Sequence, residues 1–254
     1  MRQWRKRRRL SQLDLAIGAD VSSRHLSFIE TGRSAPSRAM ILRLAAALDV
    51  PPREQNQLLV AAGLAPEYSE RTLDDPEMAS VRDGVERVLA AYQPFPCLAL
   101  DRRWHILAAN TSASVLIDGV AANLLEQPNA LRIALHPDGL APRIRNLGQW
   151  RHHLLERLRR EVAVSGDDDL GVLLAELETY PGDDPHGAEL GGVSGGVMVP
   201  LELVTPQGTP LSLLSTVTTF GTALDLTAAE LSIEAFLPAD AATAVALTEA
   251  ADAR

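Results

Sequence analysis

The stretch "SQLDLAIGADVSSRHLSFIETG", Ser11 to Gly32, restricts the fold more than any other part of the chain. Ser11 and Asp14 have the spacing of a capping box, which predicts a helix opening at Gln12. "GAD" stops that helix near Ile17. The turn that follows favours a left-handed residue, usually Gly, and Asp20 is one of the few alternatives. Ser22 then caps a second helix, Val21 and Leu26 stand at the positions of a hydrophobic staple, and Gly32 closes it at C′. At about 100° per residue, Leu26 and Ile29 share one face, while Arg24, Ser27, Phe28 and Thr31 take the other half. Two short helices meeting at a tight turn are the consequence. The second presents small hydroxyls, one Arg and one Phe away from the apolar stripe.

That outer face suits the DNA major groove, about 12 Å wide. Arg donates two hydrogen bonds to a guanine edge, Ser pairs with several edges, and Phe contacts a thymine methyl. A solvated helical hairpin is the plain alternative. The charge distribution favours DNA: residues 1–65 carry 11 Lys/Arg against 5 Asp/Glu, whereas the rest carry 13 against 28, within a net charge of −9. A basic head on an acidic body points to a polyanionic partner for the head alone.

On "LSQLDLA", Ala16, Val21, Leu26, Ile29 and "SFIETGR", residues 1–63 resemble the Xre/Cro-like helix-turn-helix class. Asp20 departs from that class, which usually has Gly in the turn. The resemblance implies base readers at Ser23, Arg24, Ser27 and Phe28. It implies phosphate contacts from Gln12, Ser22, Thr31 and Arg33, with Arg38 reaching a flanking minor groove. It also implies a partly buried structural pair, Arg5 with Glu30. "SRAMILRLAAALDV" and "PPREQNQLLVAAG" complete a five-helix domain over residues 1–66.

"LAPEYSERTLDDP", Leu64 to Pro76, is polar and carries two prolines, and reads as the domain boundary. "PEMASVRDGVERVLAAYQ" is helical. "PCLALD" and "WHILAAN" then form a hairpin through "DRR", followed by short helices at "TSASVLI" and "NALRIALH". Two longer helices follow at "IRNLGQWRHHLLERLRREVAV" and "DDLGVLLAELETYPG". The runs "VMVPLELVT", "LSLLSTVTTF" and "LSIEAFLP" complete an antiparallel sheet, and "PADAATAVALTEA" ends the chain as a helix. The class is α+β, with helices expected on one side of the sheet.

"LDRRWHILAAN", "NALRIALHPDGLAPRIRNLGQW", "ELETYPG" and "LSLLSTVTTFGTALDLTAAELSIEAFLPADAAT" resemble the MmyB-like ligand-binding domain. The resemblance implies a PAS-like domain over residues 76–254 and a small amphipathic ligand such as a fatty acid. The Gly-rich "HGAELGGVSGG" departs from the family pattern and reads as a loop.

Catalytic and metal signatures are missing from the sequence. His152 and Glu156 are one turn apart, but "HHLLE" lacks the second histidine of a zinc helix. "DDD" at 167–169 reads as the charge and cap of a following helix. Ser194 in "GVSGG" lacks the elbow spacing of a hydrolase nucleophile. Cys97, the only cysteine, sits in "FPCLAL" and reads as a small buried hydrophobe. No catalytic residue, metal or cofactor is assigned. Basic residues lead straight into an amphipathic pattern, with no secretory signal, and the uncharged run Leu203–Leu224 is broken by turn residues. A cytoplasmic chain without a membrane span is the expectation.

A sensor pocket is concave and apolar with a few polar anchors. Candidates are Phe95, Trp104, Leu107, Asn110, Leu131, His136, Trp150 and Phe220, with Arg143, Arg145 and His136 as cations for an acidic head. The alternative roles are core packing for the apolar residues, and a helix-capping hydrogen bond for Asn110 and His136. The whole reads as a homodimeric transcription regulator binding a two-half-site DNA operator. Two other readings remain: an enzyme domain fused to an autoregulatory helix-turn-helix, or a constitutive dimerisation body that takes no ligand.

Overall fold

The computed structural model describes residues 1–182, 198–221, 223 and 225–252; the Gly-rich stretch with Ser194 lies outside the described residues. The described chain divides into two compact units, the first built on Met1–Arg71 and the second beginning at Thr72.

The first unit contains α1 (Arg2–Arg7), α2 (Gln12–Gly18), α3 (Ser23–Glu30), α4 (Arg38–Ala47) and α5 (Pro52–Ala61). Their starts are written in the sequence. Ser11 Oγ accepts the Asp14 N–H at 3.1 Å, and Asp14 Oδ2 accepts the Ser11 N–H at 2.9 Å. Ser22 and Ser37 cap α3 and α4 by one bond each, their Oγ accepting the His25 and Met40 N–H groups at 3.1 and 3.3 Å. Each such cap is worth about 1 kcal/mol. Asp20 takes φ 51° in the turn between α2 and α3, and Gly32 takes φ 72° beyond α3. Leu15, Leu26, Leu44 and Leu48 are fully buried together, with Trp4 closing the cluster from α1.

The chain after α5 is held to it. Asn56 Oδ1 accepts the N–H groups of Glu67 and Tyr68 at 2.8 and 3.0 Å, its Nδ2 donates to the Tyr68 carbonyl at 2.9 Å, and Arg53 pairs with Glu70. This is why the first unit continues to Arg71, within the polar stretch Leu64–Pro76.

In the second unit a 3₁₀ turn (Pro76–Met78) leads into α6 (Ala79–Ala91), then β1 (Cys97–Leu100) and β2 (Ile106–Ala109). Short helices α7 (Ser114–Ile117), α8 (Ala122–Glu126) and α9 (Ala130–Leu135) precede the long α10 (Leu147–Ser165) and α11 (Asp168–Glu178). The chain ends with β3 (Leu201–Val204), β4 (Pro210–Thr219), α12 (Leu226–Glu230), β5 (Ser232–Pro238) and α13 (Ala241–Asp252). The five strands form one antiparallel sheet in the order β2-β1-β5-β4-β3. The short α8 and α12 have too few residues for a helical period and were not expected.

Both faces of the sheet are covered. Leu98, Leu100, Leu203, Leu213 and Phe236 face the main core, with Leu131, Trp150, Leu154, Leu158 and Leu173 from α9, α10 and α11. Cys97, Ala99, Ile233 and Ala235 point the other way, onto Val85 and Leu89 of α6. The class is α+β as expected, but the helices are not confined to one side. The cause is that β1 is apolar on both side-chain parities and β5 carries Phe236 on one and Ile233 and Ala235 on the other, so each face needs a cover.

Candidate nucleic-acid interface and ligand pocket

Leu26 and Ile29 hold α3 to the first unit's core. Its other side leaves Ser22, Ser23, Arg24, Thr31 and Arg33 exposed and Ser27 and Phe28 half-buried. The Arg24 guanidinium lies 5.5 Å from the Phe28 ring centre, a cation–aromatic contact that lays it along this face. Thr31 Oγ1 donates to the Ser27 carbonyl at 2.7 Å. Seven of the nine expected DNA residues are thus together on α3 and its flanking turns.

The other two are engaged within the chain. Gln12 Nε2 donates to Glu30 Oε2 at 2.8 Å. Arg38 reaches Glu67 Oε2 at 2.5 Å and the Ala65 carbonyl at 2.6 Å. Arg5 forms the implied pair with Glu30, donating from Nε at 2.8 Å and Nη2 at 2.7 Å to a carboxylate whose side chain is 1% exposed. Hydrogen bonding from Arg5 holds the Glu30 carboxyl below its ordinary range. The basic opening run is therefore partly structural. Arg8 also donates to the Leu48 and Asp49 carbonyls at the end of α4, both at 2.8 Å.

In the second unit one pocket lies between the sheet and its helical cover. Leu98, Ile106 and Phe236 form the sheet side; Leu116, Ala130, Leu131 and Ala134 come from α7 and α9, and Trp150 and Leu154 from α10. Trp104 and Glu234 also line it, and the space in the pocket is about 50 Å³. That is a third of the ~150 Å³ apolar cavity known to admit benzene, so a larger guest has to displace side chains.

Trp104 sits at φ 67°, a left-handed conformation costing a side chain of this size about 1–2 kcal/mol. Contacts on both sides fix it there. Its indole Nε1 donates to Glu161 Oε2 at 2.8 Å, its carbonyl accepts the Ala130 N–H at 2.8 Å, and the Arg157 guanidinium stacks 4.2 Å from its ring centre. Glu234 is 4% exposed. Its Oε1 accepts the Ser215 hydroxyl and lies 3.6 Å from Arg157 Nη1, while burial pushes its carboxyl above the ordinary range.

Of the expected ligand residues, Trp104, Leu131 and Trp150 line this pocket. Five are elsewhere. Leu107 alternates outward next to Ile106 and is 42% exposed. Phe220 packs with Val85 and Leu89 on the opposite face of the sheet. Phe95 packs at the edge of the main core, outside the pocket wall. Asn110 is a structural junction: Oδ1 accepts the Cys97 and Ala113 N–H groups at 3.0 and 3.1 Å, and Nδ2 donates to the Phe95 and Leu89 carbonyls at 2.8 and 3.2 Å. His136 meets Tyr180 edge-on at 5.0 Å, and its Nδ1 accepts the Asp138 N–H at 3.0 Å.

The proposed cations are absent from the wall as well. Arg143 is spent on the Val115, Asp118 and Val204 carbonyls, and Arg145 is exposed. Sequence reasoning missed Glu234 entirely. Asp167 caps α11 as expected, accepting the Asp169 N–H at 2.9 Å. Among the described residues no group of three or more His, Cys, Asp or Glu is placed to hold a metal ion, and no helix is long and apolar enough to cross a membrane.

A helix-turn-helix unit with an open polar face, joined in one chain to an α+β unit with an apolar pocket, is the architecture of a ligand-responsive DNA-binding regulator. Residues 81–250 match the family described as MmyB-like transcription regulator ligand binding domain, and residues 1–55 match the family described as helix-turn-helix. The chain belongs to the MmyB-like transcription regulator family. These are families of transcription-regulator domains, not of enzymes. No curated protein matches the chain. Among solved structures, an RNA-binding light-oxygen-voltage receptor is similar at 12% identity with a TM-score of 0.29, over 94% of this chain and 55% of that one. The chain thus spans about half of that receptor's length, and a likeness this weak carries no structural conclusion.

Proposed function

We propose that the chain is a sequence-specific regulator, acting in the cytoplasm as a homodimer on an operator of two half-sites. Residues 1–66 bind DNA and residues 76–254 form a PAS-like sensor. Ser23, Arg24, Ser27 and Phe28 read bases, and Ser22, Thr31 and Arg33 contact phosphates. Gln12 and Arg38 would exchange their present carboxylate partners for phosphates. In a two-fold dimer the two copies of α3 would lie about 34 Å apart, one turn of DNA. The sensor's ligand is a small amphipathic molecule; a fatty acid is the instance that the resemblance implies, and the apolar wall suits its tail. Ligand binding alters DNA affinity to the extent that two conformations of the protein bind the ligand differently.

The observation that carries this reading is the side-chain arrangement of α3, with Leu26 wholly buried and Arg24 exposed beyond it. Selection from a randomised operator pool tests it. Arg24→Ala is expected to relax preference at one base pair per half-site, worth roughly 1–3 kcal/mol. An unchanged preference would remove Arg24 from the base-reading set.

A further inference from the structure

Among the described residues the pocket wall contains one ionisable side chain, Glu234. Around Glu234 the wall consists of hydrocarbon and the rings of Trp104, Trp150 and Phe236. A carboxylate confined among aromatic faces is the chemistry that receives an ammonium ion: the carboxylate supplies charge and acceptors, and the rings supply their negative faces. It is a poor receptor for a second carboxylate, which would be desolvated beside Glu234 without a cation of its own.

The charges packed around Glu234 strengthen this reading. Arg157 on α10 approaches Glu234 at 3.6 Å, but the same guanidinium donates from Nε to Glu161 at 3.2 Å and stacks on Trp104. One cation is divided between two carboxylates, Glu161 from α10 and Glu234 from β5. Ser215 on β4 donates one hydrogen bond to Glu234, and β1 offers it Leu98 across the register. Both contacts fall on Oε1, which leaves Glu234 Oε2 to accept from a guest.

Resting on the reading of this pocket as the sensor site, but replacing the fatty acid that the resemblance implies, we propose that it selects ligands with a cationic, hydrogen-bond-donating amine head and an alkyl body that displaces side chains on entry, in preference to carboxylates. Glu234 receives the ammonium, Trp104 and Trp150 flank it, and the alkyl part lies against Leu131, Ala134 and Leu154.

Isothermal titration of the full-length chain at neutral pH with octylammonium, octanol and octanoate tests this, because the three probes share a tail and differ in the head. Octylammonium is expected to bind about tenfold or more tightly than the other two. Glu234→Gln should remove most of that advantage while leaving octanol within about threefold. Octanoate binding the wild-type chain as tightly as octylammonium overturns the proposal, and this ranking needs no variant to fold. Octanol and octanoate binding equally well, with octylammonium no better, leaves the pocket as a sensor and removes only the amine preference. Binding by none of the three refutes the pocket reading, and the amine preference with it.

Discussion

Replacing Arg5 by Met should destabilise the helix-turn-helix unit by about 3–5 kcal/mol, because it leaves a buried charge without its cation. Glu30 ends α3 with its side chain 1% exposed, and Arg5 covers it with two charge-assisted hydrogen bonds while itself 12% exposed. In the variant only Gln12 still donates to that carboxylate. Glu30→Leu should cost less, about 1–2 kcal/mol, since the more exposed guanidinium can turn to water and retain its bond to the Leu10 carbonyl. The double variant should therefore be more stable than the sum of the singles by about 2 kcal/mol. Native-state hydrogen exchange of the α3 amides measures this unit's opening free energy without the second unit's transition. The pH dependence has a definite sign. Glu30 has a depressed pKa in the folded chain, so its contribution is present above the unfolded carboxyl value near 4.3 and is lost as pH falls through the lower folded value. The gap between wild type and Arg5→Met should narrow in that acidic range. A single-variant cost below about 1 kcal/mol, or a double variant no better than additive, refutes the reasoning.

Arg33→Ala should weaken binding to all DNA sequences alike and reduce the magnitude of the salt slope by about 0.9, read from affinities across a salt series. Asn110→Ala removes four hydrogen bonds that join the end of α6, β1 and the 3₁₀ turn Thr111–Ala113. A loss of about 2–4 kcal/mol in urea unfolding is expected, and less than 1 would mean that water replaces it readily. Cys97 is fully buried and its thiol is pushed up to about 11, so an alkylating reagent at pH 8 should label it only after the chain unfolds.

The first unit was legible because its signals are local. Ser11, Ser22 and Ser37 lie within three residues of the N–H groups they cap, and Asp20 and Gly32 take the left-handed conformations that their turns demand. Arg5 with Glu30 was accessible only through the resemblance, since 25 residues separate the partners. The pins on residues 67–70 were not legible, because they come from Asn56 and Arg53, whose amide and guanidinium look like ordinary helix surface in the sequence.

Glu234 failed for a reason that follows from the same sheet. In "SIEAFLP" an alternating reading sends Ile233 and Ala235 inward, and therefore Glu234 to solvent. That inference assumes one wet face. Here Ile233 and Ala235 point to α6, and Glu234 and Phe236 point to the helices on the opposite side, so neither parity reaches water. The cue was available: β5 carries Phe236 on the same parity as the acid, and an aromatic there needs its own cover. Once each parity of a central strand carries an apolar residue that needs cover, here Phe236 on one and Ile233 with Ala235 on the other, its one charged residue is enclosed. Its charge must then be met by a partner, a proton or a guest. Arg157 meets part of it and serves Glu161 as well, and burial raises the carboxyl's affinity for a proton, so the proposed ammonium guest competes with a proton for what remains.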